Sequence, residues 1–166
     1  MLLAGFTLSF YYIHIAFKQA GLSVLRIGFY LAVSAAISAF GAMVAVKIEA
    51  KLGQVRLLKV VPFVMGALYA LLFVNEIAVF AFFALSFVET VLFVVSRDYI
   101  NKLIASDKRA TILSFDSMMF SFFMILTFPL FGFISDYIGI NTSFLIFGGL
   151  LLSFAVINIV RVKKKG

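Results

Sequence analysis

The chain of 166 residues has no cysteine, no tryptophan and a single histidine, His14. Without cysteine there is no disulfide, thiolate nucleophile or thiolate ligand. One histidine argues against a conventional structural or catalytic zinc site. No nucleophile–base pair or metal-ligand cluster is visible, so no catalytic residue, metal or cofactor is expected, and the chain does not read as an enzyme. Charge is scarce as well, at 13% of residues. The amino terminus lacks the positive segment of a secretory signal. Its apolar run leads into Lys18-Gln19 rather than a small-residue cleavage site, so it reads as a retained span.

What fills the chain is apolar: 64% of residues are hydrophobic and the mean hydropathy is +1.19, outside the range of a soluble domain. Apolar runs cover roughly 1–17, 24–46, 60–74, 77–96, 112–134 and 143–160. Crossing the hydrocarbon takes about 20 apolar residues. The third run is short, but its flanking Val, Leu and Lys residues extend it toward the interfaces. Six spans and short loops consume the chain, leaving no room for a soluble domain. The expectation is one all-α, polytopic membrane helix bundle over 1–166. The 22 phenylalanines suit lipid-facing and cavity-facing surfaces but identify no ligand.

Basic residues supply the direction. Of the 14 Lys and Arg residues, twelve follow every second apolar run. They are Lys47, Lys51, Arg56 and Lys59; Arg97, Lys102, Lys108 and Arg109; and Arg161, Lys163, Lys164 and Lys165. The remaining connections hold only Lys18 and Arg26. Positive loops stay on the cytoplasmic side during insertion. The pattern therefore predicts six crossings, both termini in the cytoplasm, and an integral protein of the plasma (cytoplasmic) membrane. The net charge of +7 lies in juxtamembrane loops and the tail, where topology and anionic lipid headgroups account for it; nucleic acid is not an expected partner.

Gly21 is placed to close the first helix and Ser23 to cap the second. Ser34, Ser38, Gly41 and Ala45 form a small-residue stripe, read as a close helix–helix contact without substrate meaning. A short basic loop is expected over Lys47–Arg56, and a tight outer hairpin at Asn75-Glu76. With basic loops after spans two and four, the six spans divide into two sets of three of opposite orientation. A 3+3 inverted repeat is the architectural expectation.

Ionisable groups deep in a span default to a functional reading, because they cost about 2.5–3.5 kcal/mol on insertion scales. Glu89 lies near the middle of span four, with Phe82, Ser86, Phe93 and Ser96 on its helical face. Such a stripe suits a cavity, and the acid suits a proton-coupling group or the partner of a cationic solute. The alternative is a neutral Glu bonded to a neighbouring helix. His14, in the outer part of span one, shares a face with Thr7, Tyr11 and Lys18. It is a candidate for a charge change at physiological pH or, equally, a hydroxyl-bonded or interfacial histidine. Asp116 begins span five, where it complements the helix dipole and is in reach of Lys108 or Arg109. Arg97 and Asp98 end span four and read as a gate or loop ion pair.

Tyr99-Ile100-Asn101 followed by Arg109-Ala110-Thr111-Ile112-Leu113-Ser114 resembles the connection between the tenth and eleventh helices of major facilitator superfamily transporters. Pro129-Leu130-Phe131-Gly132 with Asp136 and Gly139 is similar to the end of that family's eleventh helix. Gly21-Leu22-Ser23 with Gly28 is similar to its turn between helices seven and eight. The family's basic loop signature is matched loosely by Gly41, Lys51, Gly53 and Arg56, with Lys47 in the region where an acid is expected. The resemblance covers about 11–160 and implies the carboxyl-terminal six-helix half of such a transporter. It further implies alternating access, with spans one and four, bearing His14 and Glu89, lining a central cavity for a small-molecule solute. The family normally carries twelve spans. The expectations are therefore a truncated product or internal start, which Met1 opening directly into a span favours, or a half that pairs with a second six-helix half or forms a homodimer. A non-transporting membrane fragment is the alternative function.

Overall fold

The computed structural model describes residues 2–74, 77–104 and 108–163, and their regular elements are six α-helices, with no strand among the described residues. These are α1 (Leu2–Gln19), α2 (Val24–Leu52), α3 (Gln54–Leu71), α4 (Ala78–Leu103), α5 (Arg109–Ile138) and α6 (Ile140–Lys163). The turn expected at Asn75-Glu76, the pair Ser106-Asp107, and the tail residues Lys164 and Lys165 lie outside the described residues. Four helices, α2, α3, α4 and α5, are long and apolar enough to cross a membrane, and α6 has a shorter apolar stretch at Ile140–Val156.

Helices end where backbone chemistry demands it. After α1, the Gly21 N–H donates to the Lys18 carbonyl and the Leu22 N–H to the Phe17 carbonyl. Those two bonds, with Gly21 at φ 83°, make a Schellman stop. Ser23 then accepts from the Arg26 N–H at 3.4 Å and caps α2.

The Lys47–Arg56 stretch, expected as a loop, is helical except at one residue. Lys, Glu, Ala and Leu are good helix formers, so α2 runs on to Leu52. Gly53 breaks it at φ 77° and ψ 138°, in a region essentially reserved for glycine. Gly139 separates α5 from α6 in the same way, at φ 83° and ψ 148°.

The broadest packing pairs α2 with α4 and α3 with α6. α3 also packs on α4, α1 on α5, and α5 on α6, while α1 touches α4, α6 and α2 as well. The small-residue stripe of α2 is the α4 contact: Ser34, Gly41 and Ala45 are buried, and Ser38 Oγ donates to the Ser86 carbonyl at 3.2 Å. A side chain at Gly41 would meet the Phe87 carbonyl at 3.1 Å. α3 and α6 cross more closely still. A Cβ on Gly148 would lie 2.7 Å from the Gly66 carbonyl oxygen and 2.8 Å from the Ala70 nitrogen. Close approach replaces the hydrophobic driving force that lipid cannot supply. Between these pairs sits a core that includes Leu8, Ile13, Met65, Tyr69, Phe82 and Phe144.

Candidate functional site

A cavity of about 280 Å³ opens between α1, α4 and α5. Thr7 comes from α1; Glu89, Phe93 and Arg97 come from α4; Asp116, Met119 and Phe120 come from α5. The three α4 residues are spaced four apart, so successive turns put an acid, a ring and a guanidinium on one wall. Arg97 Nη2 lies 3.5 Å from Asp116 Oδ2, joining α4 to α5, and its guanidinium sits 5.4 Å from the Phe93 ring centroid. That is within cation–π range. Arg97 is thus held on two sides at the end of the cavity nearer the basic connections.

Asp116 lies seven residues inside α5, because the helix begins at Arg109 rather than beside the acid. The dipole effect fades within the first turn, so the Arg97 pair is the contact that engages this carboxylate. Arg109 instead donates from Nη2 to the Asn101 carbonyl at 3.3 Å, and Lys108 precedes α5 as an exposed residue. Asp98 faces elsewhere on α4 and pairs with Lys102, whose Nζ is also 3.9 Å from Glu49 Oε1 at the end of α2. Arg97 and Asp98 therefore belong to two ion pairs rather than to one.

Thr7, Glu89 and Phe93 are brought together in the cavity, while the other cavity candidates are placed around it. Phe82 and Ser86 are buried, with Phe82 against the Phe17 ring of α1 at 6.1 Å. Ser86 Oγ donates to the Phe82 carbonyl at 2.9 Å, and the Ser86 carbonyl accepts from Thr90 Oγ1 at 2.9 Å. Ser96 is half-buried and does not line the cavity. Tyr11 is 51% exposed, its ring 5.3 Å from that of Phe128 on α5. His14 is exposed on α1, one turn beyond Tyr11.

Met119, Phe120 and Tyr69 were not among the sequence candidates. Phe120 follows Asp116 by one turn, and helical spacing alone puts it on the face of that acid. Met119 carries no signal of its own. Tyr69 is fully buried in α3 and accepts from the Ser9 N–H of α1 at 3.2 Å, tying the helix behind the cavity to α1. Tyr12 does the same for α5: its Oη donates to the Phe128 carbonyl at 2.8 Å and lies over Gly132, where a Cβ would come within 2.8 Å of the Tyr12 hydroxyl oxygen. No group of three or more His, Asp or Glu side chains able to hold a metal ion occurs among the described residues.

Long apolar helices, glycine-mediated crossings and a charged cavity between helices define a helical integral membrane protein. The family model described as Major Facilitator Superfamily matches residues 1–165. The chain belongs to that superfamily of membrane transporters. No curated protein and no solved structure gives a significant match.

Proposed function

We propose that this chain is the carboxyl-terminal six-helix half of a secondary transporter that moves a small organic solute by alternating access. The observation that carries the reading is the cavity with Glu89 on its wall. An acid within a membrane helix costs several kcal/mol and marks a pathway or proton relay by default.

All six helices cross the bilayer in this reading, as two inverted sets of three. Exchanging α1–α3 with α4–α6 carries the α2–α4 packing onto α1–α5, α3–α4 onto α1–α6, and α2–α3 onto α5–α6. The pairs α3–α6 and α1–α4 map onto themselves, whereas the slight α1–α2 contact has no α4–α5 counterpart of the same extent among the described residues. The same exchange carries the Gly53 break onto the Gly139 break, with φ 77° and ψ 138° answered by φ 83° and ψ 148°. Both the packing pattern and the glycine geometry support the repeat.

The charge alternation supports a cytoplasmic location for both termini and for the basic connections. Along α4, Glu89, Phe93 and Arg97 then follow one another toward the cytoplasm, and the Arg97–Asp116 pair acts as the inner gate. Asp98, Lys108 and Arg109 sit around that gate at the membrane surface. Thr7, Tyr11 and His14 continue the pathway outward along α1. The facing wall comes from a second six-helix half or a second copy of this chain. Glu89 exchanges a proton as the cycle turns.

Because the chain has no cysteine, single cysteines report without background. Thr7→Cys and Phe93→Cys should react with a membrane-impermeant thiol reagent from either side, in right-side-out and inverted vesicles. Lys51→Cys should react from the cytoplasmic side alone. Cavity cysteines reachable from one side only exclude alternating access, and external labelling at Lys51→Cys overturns the orientation.

A further inference from the structure

The charges around the cavity do not balance, and the imbalance has a sign. Arg97 and Asp116 answer each other at 3.5 Å, and the Arg97 guanidinium also rests over the Phe93 ring. Glu89 remains. Among the described residues its carboxylate has no ion pair and no hydrogen bond. Tyr69 of α3, which accepts from the Ser9 N–H, is a phenol and brings no positive charge. Thr7, from α1, brings a hydroxyl. His14 does not line the cavity, and Lys102 is occupied by Asp98 and Glu49.

On the understanding that this cavity is the transport site, we infer that its solute is a small organic monocation with an aromatic or branched apolar body. The ammonium sits on Glu89, and the body packs on Phe93, Phe120 and Met119, two rings and a polarisable thioether. An organic anion fits poorly, since it has to displace Asp116 from Arg97 while facing Glu89. A neutral solute gives an ionised Glu89 no partner and is accommodated only when that acid takes up a proton, so it gains none of the charge interaction. No group of three or more His, Asp or Glu side chains stands ready to hold a metal cation among the described residues.

The test is equilibrium binding to the full chain in lipid nanodiscs. Radiolabelled 2-phenylethylammonium is the probe, with phenylacetate and 2-phenylethanol as anionic and neutral competitors of similar shape. The ammonium should bind saturably and about tenfold or more tighter than either competitor, in keeping with a charge interaction shielded from bulk water. Glu89→Gln, which keeps the shape, should weaken it by roughly thirty-fold or more, and Glu89→Asp should retain the preference for the cation. The competition series on the unmodified chain decides the matter even if a Glu89 variant fails to fold. Equal binding of the three molecules, preference for phenylacetate, or no saturable ammonium binding overturns the assignment. If charge preference is missing while Thr7→Cys and Phe93→Cys still react from both sides, the solute class falls and the transport reading stands. If the preference holds while those cysteines react from one side only, the cation site stands and alternating access falls.

Discussion

Gly148 and Gly149 are neighbours in α6, yet a methyl group at each should have opposite effects. At Gly148 the added Cβ meets backbone on α3, 2.7 Å from the Gly66 carbonyl oxygen and 2.8 Å from the Ala70 nitrogen. Neither atom can rotate away, so the whole α3–α6 crossing has to open. At Gly149 nothing lies within 4 Å. Alanine improves helix propensity at both positions, by about 0.5–1 kcal/mol relative to glycine, and that contribution cancels in the comparison. What remains is the overpacking at Gly148→Ala, about 1–3 kcal/mol. At 1.36 kcal/mol per factor of ten, that corresponds to roughly 5- to 150-fold in the folded-to-unfolded ratio. Reversible unfolding in mixed detergent micelles, followed by far-ultraviolet circular dichroism, reads the difference directly. Gly149→Ala should match or exceed the unmodified chain, with Gly148→Ala below both. Equal stability of the two variants would refute the argument that α3 and α6 meet backbone to backbone at this point.

A different mechanism governs Gly53 and Gly139. Space around each is open, but their torsions, φ 77° and 83°, belong to glycine. Gly53→Ala and Gly139→Ala should each destabilise by about 1–3 kcal/mol through backbone strain, and similarly to one another in the same unfolding assay. A neutral result at either position would show that the helix break can adopt ordinary torsions. Glu89→Gln should also abolish the dependence of solute flux on a proton gradient in vesicles containing the full chain. Unchanged pH-dependent flux would remove Glu89 from the coupling.

One-dimensional properties of the chain were enough for its class. Apolar runs and the placement of Lys and Arg act on each segment separately, so membrane insertion and the expectation of orientation need no tertiary structure. Local backbone chemistry was equally legible: Gly21 and Ser23 stop one helix and start the next, and the Ser34–Ala45 stripe becomes the α2–α4 contact. The Lys47–Arg56 loop was misjudged because charge marks where a chain leaves the hydrocarbon, not where its helix stops.

The cavity wall depended on neighbours. Phe82, Ser86, Glu89 and Phe93 share one face of α4 by spacing, but a helical stripe turns slowly about its axis, about 20° per seven residues. Crossing helices cover one part and leave another open. Phe82 is covered by Phe17 of α1 and Ser86 by Ser38 of α2, while Glu89 and Phe93 are left facing Thr7, Met119 and Phe120. Arg97 and Asp116 lie on different helices, so only the folded arrangement of α4 and α5 could join them. The sequence by itself determined a helical membrane protein with an acid near the middle of its fourth helix. The tertiary structure decided which side chains stand beside that acid, because each such contact depends on the rotation and crossing of helices distant in the chain.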